Sequence, residues 1–235
     1  MTLPVAILAG GIATRLRPTT ETIPKSLVEV AGRPFLFHQL EWLRKEGVER
    51  VVLCIGYLGE KIRAAVGDGT ALGLEVEYSL DGDRLLGTGG ALRKAVSKLG
   101  DQFFVLYGDS YLRCSLADVE RAFRTAGKPA LMTVLKNDGR WDRSNVDLDE
   151  GGRVSHDKHN PTPGMSYIDY GLSVMRADVL ARFGEDEVFD LADVLAGLSA
   201  RNELAGLEVT DRFYEIGSPA GLKETEEFLL KMEKR

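Results

Sequence analysis

Apolar residues in the first half of the chain fall alternately into short continuous runs and stretches with helical spacing. The continuous runs lie at 3–9, 51–55, 74–80 and 103–107 and predict buried strands. Helical stretches lie at 34–43, 58–66, 90–99 and 116–126, and the last opens with a capping-box-like pair, Ser115 and Asp118. Strands that alternate with helices in this way predict a parallel sheet with crossover helices.

The pattern changes after Pro129, where apolar runs become shorter and closer together. Strands are predicted at 130–135, 145–147, 154–157 and 167–175, followed by helices at 191–200 and from Ser218 to about residue 230. We therefore expect one α/β domain over residues 1–235, with a doubly wound, mostly parallel sheet and an added mixed β region. Ligands bind beyond the carboxyl ends of strands in such sheets, where the loops after Ala9 and Tyr107 fall.

Composition and net charge argue against nucleic acids and membranes as binding partners of this chain. The chain has 44% hydrophobic and 28% charged residues, as expected for a soluble globular protein. Its net charge of −6 repels polyanions and no basic stripe offsets that charge, so nucleic acid is not an expected partner. No signal-peptide core or 18-residue apolar run is present, so we expect no membrane association and a cytoplasmic location.

Cysteine and histidine, the two residue types with reactive or metal-binding side chains in question, show no spacing that predicts a disulfide or a metal site. Cys54 and Cys114 lie far apart and fit buried free thiols better than a disulfide or a zinc site. His156 and His159 form an H-x-x-H pair, but they lie in a predicted strand or loop and not on one helix face. No heptad seam or exposed apolar stripe indicates an oligomeric state.

The stretch GGIATRLRPTTETIPK, residues 10–25, begins where the first apolar run ends. Glycines there let the backbone turn and expose N–H groups, and Arg15, Arg17 and Lys25 face only one acid, Glu21, so the segment favours a phosphate. It is not a Walker A loop, because Lys25 does not directly follow a glycine. The G-x-G-x-x-G fingerprint is also missing, which argues against an NAD-linked dehydrogenase.

This stretch matches all nine specified positions of GGxxTRLxPxTxxxPK, and so the chain resembles the sugar-phosphate nucleotidyltransferases, the pyrophosphorylases that make NDP-sugars. The resemblance implies a Rossmann-like nucleotidyltransferase fold. It also implies that a sugar 1-phosphate attacks the α-phosphorus of a nucleoside triphosphate, with Mg²⁺ as cofactor. Because two polyanions must meet, cations and a metal ion are expected to dominate the site.

Carried over position by position, the resemblance implies a full set of site residues. Catalysis is assigned to Arg15, Lys25 and Asp109, and the metal to Asp109 and Glu215. The sugar phosphate is assigned to Lys25, Lys158, Asp169 and Gly171. The nucleotide is assigned to Leu8, Ala9, Gly10, Gly11, Thr14, Arg15, Gly87, Thr88 and Gly89.

Four positions depart from the family's pattern: Glu215, Asp169, Arg84 and Tyr170, which replaces an Ala. Glu215 stands where the family has a metal-binding Asp, and its longer side chain leaves a structural role open. Asp169 replaces an Asn, and a carboxylate accepts hydrogen bonds without donating, which suggests a different hydroxyl pattern on the sugar. Arg84 lies where relatives often carry Glu, so the identity of the base is open.

Two segments, 32–36 and LGTGGALRKA at 86–95, most resemble the heptose 1-phosphate guanylyltransferases. This subgroup implies transfer of GMP from GTP to a heptose or mannose type of sugar 1-phosphate. A UTP-dependent transferase for an amino-sugar or muramate phosphate is the nearest alternative, and a choline-phosphate cytidylyltransferase a more distant one. A non-catalytic regulatory protein that binds an NDP-sugar is the alternative from a different functional class.

Overall fold

The computed structural model describes residues 2–137, 139–141 and 143–233. Strands β1 to β13 lie at Val5–Leu8, Glu29–Val30, Arg33–Pro34, Arg50–Ile55, Glu75–Leu80, Gln102–Tyr107, Ser110–Tyr111, Ala130–Lys136, Val146–Leu148, Val154–His156, Tyr167–Arg176, Leu204–Val209 and Tyr214–Glu215. Helices α1 to α6 lie at Phe35–Lys45, Gly59–Val66, Gly87–Leu99, Leu116–Ala126, Leu191–Ala200 and Pro219–Glu233.

A nine-stranded sheet forms the centre of the fold. Strands β5, β4, β1 and β6 run parallel in that order, as crossover helices require. Strand β11 then pairs antiparallel with β6, and β8 pairs with β11 and with β12. Strands β9 and β10 extend the sheet from the amino-terminal end of β11. The predicted parallel sheet with an added mixed β region is confirmed.

Both faces of the sheet are covered, which confirms the doubly wound arrangement. Side chains of β1 alternate, so that Val5 and Ile7 belong to one core and Ala6 to the other. Helices α1, α2, α4 and α6 pack on the first face, and α3 and α5 on the second. Of the helices in the described part of the chain, none combines the length and apolar composition needed to cross a bilayer.

Two parts of the sequence-based prediction differ from the structure. Strand β12 was missed, because Gly206 interrupts its apolar pattern; a Cβ at this position would overlap Leu148 and Val154 of the neighbouring strands. Helix α3 begins at Gly87 and not at residue 90, so the glycines of 87–90 form its first turn. The helix predicted at 116–126 is confirmed, and the Ser115 hydroxyl accepts the Asp118 N–H at 3.3 Å.

Candidate active site

The carboxyl ends of β1 and β6 lie side by side and open into a cavity of about 360 Å³. The Gly108 N–H donates to the Leu8 carbonyl at 3.1 Å, and a Cβ at Gly108 would lie only 2.6 Å from that oxygen. Glycine is therefore required where the two strands leave the sheet. The cavity is lined by Leu8, Ala9, Gly10, Gly11, Ala13, Lys25, Ser26, Cys54, Asp81, Leu85, Gly87, Thr88, Ala91, Tyr107, Gly108, Asp109 and Lys158.

The phosphate-loop stretch, residues 10–25, folds back across this cavity. The Gly10 carbonyl accepts the Tyr57 N–H at 3.2 Å, which fixes the start of the stretch beside the end of β4. Further along, the Thr20 hydroxyl donates to the Ala13 carbonyl at 2.8 Å and closes a compact turn. These two contacts return the chain to the sheet edge, and Lys25 thereby becomes part of the cavity wall.

Lys25 and Asp109 form an ion pair at the cavity wall. Lys25 Nζ donates to Asp109 Oδ2 at 2.6 Å, and the two side chains are 17% and 34% exposed. The Ser110 hydroxyl donates to Asp109 Oδ1 at 3.2 Å. The cation and the carboxylate that the sequence assigned to phosphate and metal chemistry are therefore neighbours, with the carboxylate still partly open to solvent.

Arg15, Lys25 and Glu215 converge on Gly217. A Cβ at Gly217 would lie 3.0 Å from Lys25 Nζ, 3.2 Å from Arg15 Nη2 and 2.6 Å from Glu215 Oε2. A side chain at this position would therefore collide with the charged groups. Arg15 itself is exposed, so its guanidinium can reach an anion that enters from solvent.

The Glu215 carboxylate is directed at the amino terminus of α6. Its Oε2 accepts the Gly217 N–H and its Oε1 accepts the Ser218 hydroxyl at 2.6 Å. A Cβ at Gly221, in the first turn of this helix, would overlap the carboxylate. The contacts of Glu215 therefore hold Ser218 in position before α6, and the Ser218 hydroxyl accepts the Gly221 N–H of the first helical turn at 3.0 Å.

The first turn of α3, residues 87–90, contacts both the cavity and the segment before α5. Gly87 and Thr88 line the cavity, as expected for a nucleotide-binding turn. Gly89 and Gly90 instead donate their N–H groups to the Phe189 carbonyl at 3.0 and 3.3 Å. Close packing against the segment before α5 explains the glycines at these two positions, and the same packing applies to Gly87, where a Cβ would lie 2.5 Å from the Phe189 carbonyl oxygen.

Asp81 is a cavity residue that the sequence analysis missed. It is 6% exposed, its Oδ2 accepts the Leu86 N–H at 3.3 Å, and its Oδ1 has no hydrogen-bond partner among the residues described. Burial raises the pKa of this carboxyl, against smaller opposing effects of the Leu86 N–H and Lys94. Asp81 directly follows the apolar run at 74–80, and that position was the available signal.

Cys54 lies in the same wall, at the end of β4. Burial, with a smaller contribution from the Asp81 carboxylate, raises the pKa of its thiol to about 12. Cys54 and Cys114 are both free thiols, as predicted. The Cys54 thiol beside Asp81 is therefore neutral.

Lys158 also lines the cavity, and its Nζ donates to Asp190 Oδ2 at 2.9 Å. Asp169 lies behind Tyr107: its Oδ2 accepts the Tyr107 hydroxyl at 2.8 Å and its Oδ1 accepts the Gly171 N–H at 2.9 Å. Burial and the Asp169 charge raise the pKa of Tyr107 well above its usual value, so the hydroxyl stays protonated and donates.

The structure brings most of the predicted site residues together and leaves some outside the cavity wall. The nine that line it are Leu8, Ala9, Gly10, Gly11, Lys25, Gly87, Thr88, Asp109 and Lys158. Those that do not line it are Thr14, Arg15, Gly89, Asp169, Gly171 and Glu215. His156 is buried in β10, whereas the exposed His159 contacts Asp193 at 3.2 Å.

Comparison with known families gives one model match, described as nucleotidyl transferase, over residues 5–154. A glucose-1-phosphate thymidylyltransferase of Streptomyces antibioticus is 39% identical over 150 residues, which are 63% of this chain and 42% of that enzyme. The chain thus matches less than half the length of that relative.

Two relatives match along almost their whole length. The D-glycero-α-D-manno-heptose 1-phosphate guanylyltransferase of Campylobacter jejuni is 27% identical over 91% of this chain and 94% of its own. The N-acetylmuramate α-1-phosphate uridylyltransferase of Neisseria meningitidis is 30% identical over 94% and 95%. HddC of Yersinia pseudotuberculosis, solved in complex with GMP-PN, superposes with a TM-score of 0.79, 23% identity and coverage of 97% and 100%, and supports the fold.

Proposed function

Because this chain belongs to the nucleotidyl transferase family, we propose that it joins GMP from GTP to a sugar 1-phosphate of the heptose or mannose type, with release of pyrophosphate. The observation that carries this proposal is the meeting of Lys25, Asp109 and the Gly10–Gly11 turn in the wall of one cavity. Backbone N–H groups and cations in such a wall suit a triphosphate.

Two anions must come into contact during this reaction, and the chain supplies the charge that offsets their repulsion. The phosphate oxygen of the sugar 1-phosphate attacks the α-phosphorus in line while pyrophosphate leaves. In this proposal Lys25, in the cavity wall, and Arg15, which lies near it at Gly217, neutralise the triphosphate, and Lys158, also in the wall, holds the sugar phosphate. Charge fixed in advance around the reacting phosphorus lowers the barrier without a covalent intermediate.

The carboxylates at the site fit a magnesium ion to different degrees. Asp109 is partly exposed in the cavity wall and has lone pairs beyond its contacts with Lys25 and Ser110. Both oxygens of Glu215 accept hydrogen bonds from Gly217 and Ser218, the two residues before α6. In the described ranges, no three or more His, Cys, Asp or Glu side chains are grouped so that they alone could hold a metal ion, which is compatible with Mg²⁺ bound by one carboxylate together with substrate phosphates. We therefore assign Mg²⁺ to Asp109; when bound, the ion supplies positive charge to the phosphate oxygens.

Asp81 supports guanine as the base. A carboxylate only accepts hydrogen bonds, and the edge of guanine carries two adjacent donors, N1–H and N2–H. Uracil and thymine present one N–H between two carbonyl oxygens, which a carboxylate repels. The side chains of Leu85 and Asp81 lie next to each other, both close to Gly56, and Leu85 is 38% exposed. A base that binds Asp81 would therefore displace the solvent-facing Leu85 side chain.

A UTP-dependent transfer to an amino-sugar or muramate phosphate is the second candidate. The Neisseria meningitidis relative favours it, because the alignment covers almost all of both chains. A regulatory protein that binds an NDP-sugar without catalysis is the third, and the engagement of both Glu215 oxygens by Gly217 and Ser218 is consistent with it.

One experiment separates these candidates. The purified protein is incubated with GTP, UTP, CTP, ATP or dTTP and a panel of sugar 1-phosphates, with Mg²⁺ or with EDTA, and pyrophosphate release is followed. We expect release only with Mg²⁺ and fastest with GTP and a heptose or mannose 1-phosphate. Product with only UTP or dTTP would overturn the guanylyl assignment. Binding of NDP-sugar without turnover of any pair would identify a regulatory protein.

A further inference from the structure

Asp190 lies between the nucleotide-binding turn and the sugar-phosphate lysine and contacts both. Its Oδ2 accepts Lys158 Nζ at 2.9 Å, and its Oδ1 accepts the Thr88 hydroxyl at 2.7 Å. Thr88 and Lys158 both line the cavity, and Asp190 is not among the lining residues. Asp190 thus supports two residues of the wall from behind.

The Asp190 carboxylate also caps the amino terminus of helix α5. Asp190 Oδ1 also accepts the Ala192 N–H at 2.9 Å, and the Thr88 hydroxyl accepts the Leu191 N–H at 2.9 Å. Two free N–H groups of this helix end are thereby satisfied by side chains that also belong to the site region. The Gly89 and Gly90 contacts with the Phe189 carbonyl attach the same segment to α3, so Asp190 is held on a rigid support.

The Asp190 carboxyl group is ionised near neutral pH, and its ion pair with Lys158 contributes little to the stability of the fold. Burial opposes ionisation, but the bonds from Lys158, Ala192 and Thr88 outweigh it and lower the pKa of Asp190 to about 2. Lys158 is 50% exposed, and ion pairs this open to solvent contribute little to stability. One of the three Lys158 protons is used, which leaves two for phosphate oxygens.

We propose that Asp190 is a positioning residue that fixes the Lys158 amino group for the sugar phosphate and, through Thr88, holds it in register with the nucleotide-binding turn. This inference rests on the proposed function, because it takes Lys158 as the ligand of the sugar phosphate. Binding of the sugar phosphate then depends on the charge of Asp190, whereas binding of the nucleoside triphosphate depends on Asp190 only through the hydrogen bond with Thr88, which Asp190→Asn keeps.

Asp190→Asn tests this directly, because Asn caps a helix as well as Asp does and only the charge and the geometry at Lys158 change. We expect the KM for sugar 1-phosphate to rise about tenfold, with the KM for GTP within about twofold. Lys158→Met should have at least the same effect, and the double variant should be no worse than Lys158→Met alone. Asp193→Asn is the matched control, since it removes one exposed carboxylate of the same helix.

The outcomes separate the inference from the function on which it rests. If Lys158→Met raises the KM for sugar phosphate and Asp190→Asn does not, the positioning role is wrong and the proposed function stands. Equal increases in both KM values for Asp190→Asn, or additive effects in the double variant, would also overturn it. If Lys158→Met has no effect, the assignment of Lys158 fails and the role of Asp190 fails with it.

Discussion

Lys25 Nζ and Asp109 Oδ2 lie 2.6 Å apart, although 84 residues separate them in the chain. Lys25 comes from the end of the phosphate-loop stretch and Asp109 from the loop after β6. The two loops meet because β1 and β6 are parallel neighbours whose carboxyl ends open at one edge. Each charge is therefore neutralised by the other, although both side chains are partly buried.

Lys25→Met should abolish most of the activity. It removes a fixed positive charge beside the reacting phosphates, so we expect kcat to fall by about 10²-fold or more. Pyrophosphate release at saturating substrates measures this, with the melting temperature as a check on folding. Lys45→Met is the control, because Lys45 is 64% exposed and pairs with Glu41 on α1, outside the cavity. Turnover close to normal in Lys25→Met would contradict the proposed role.

Asp109 and Glu215 should respond differently to loss of charge. We expect Asp109→Asn to lose about 10²-fold or more in turnover and to weaken Mn²⁺ binding, because it removes the assigned metal ligand. Glu215→Gln should instead lower the free energy of unfolding by about 1 kcal/mol, through its bonds at the start of α6. The concentration of Mg²⁺ that gives half-maximal rate should not change in Glu215→Gln. A large increase in that concentration would show that Glu215 leaves the helix end to bind metal.

The order of strands and helices followed from local pattern, and so did the position of the site. The runs at 51–55 and 103–107 are apolar because both faces of a parallel strand are buried, and each closely matches an observed strand. The GGxxTRL stretch and the Gly108–Asp109 turn then had to meet, because both follow neighbouring parallel strands.

What the sequence did not reveal depends on contacts between distant segments. Glu215 resembles a metal-binding position of the family's motif, but its bonds to Gly217 and Ser218 appear only in the folded chain. Asp81 lacked a motif, and its buried, unpaired oxygen becomes visible only with the walls around it. The three contacts of Asp190 likewise join segments from three parts of the chain.

Glu41 should cause the free energy of unfolding to decrease as the pH falls into the acid range. Hydrogen bonds from Lys45, and then from Arg33, lower the pKa of its carboxyl from 4.5 to about 2. A lowered pKa gives stability that is present above the unfolded value and is lost as the pH falls from about 4.5 towards 2. Glu41→Gln should therefore be less stable than the parent protein at pH 7, by at most about 1 kcal/mol because the pair is partly exposed. Urea denaturation at pH 7 and pH 3 measures the difference; an unchanged gap at the two values would contradict the linkage.

Asp81 allows a test of base recognition in which one variant should gain an activity. Asp81→Asn removes an acceptor and adds an amide donor, so it no longer matches N1–H and N2–H of guanine. We expect kcat/KM for GTP to fall by about 10- to 100-fold, as the loss of one paired contact to a base does. Xanthine carries a carbonyl oxygen at position 2, which the new amide can bind, so the use of XTP should rise. Asp83→Asn, an exposed neighbour in the same loop, is the control and should keep the preference for GTP. If Asp81→Asn lowers the rates with GTP and XTP equally, Asp81 supports the loop and does not recognise the base.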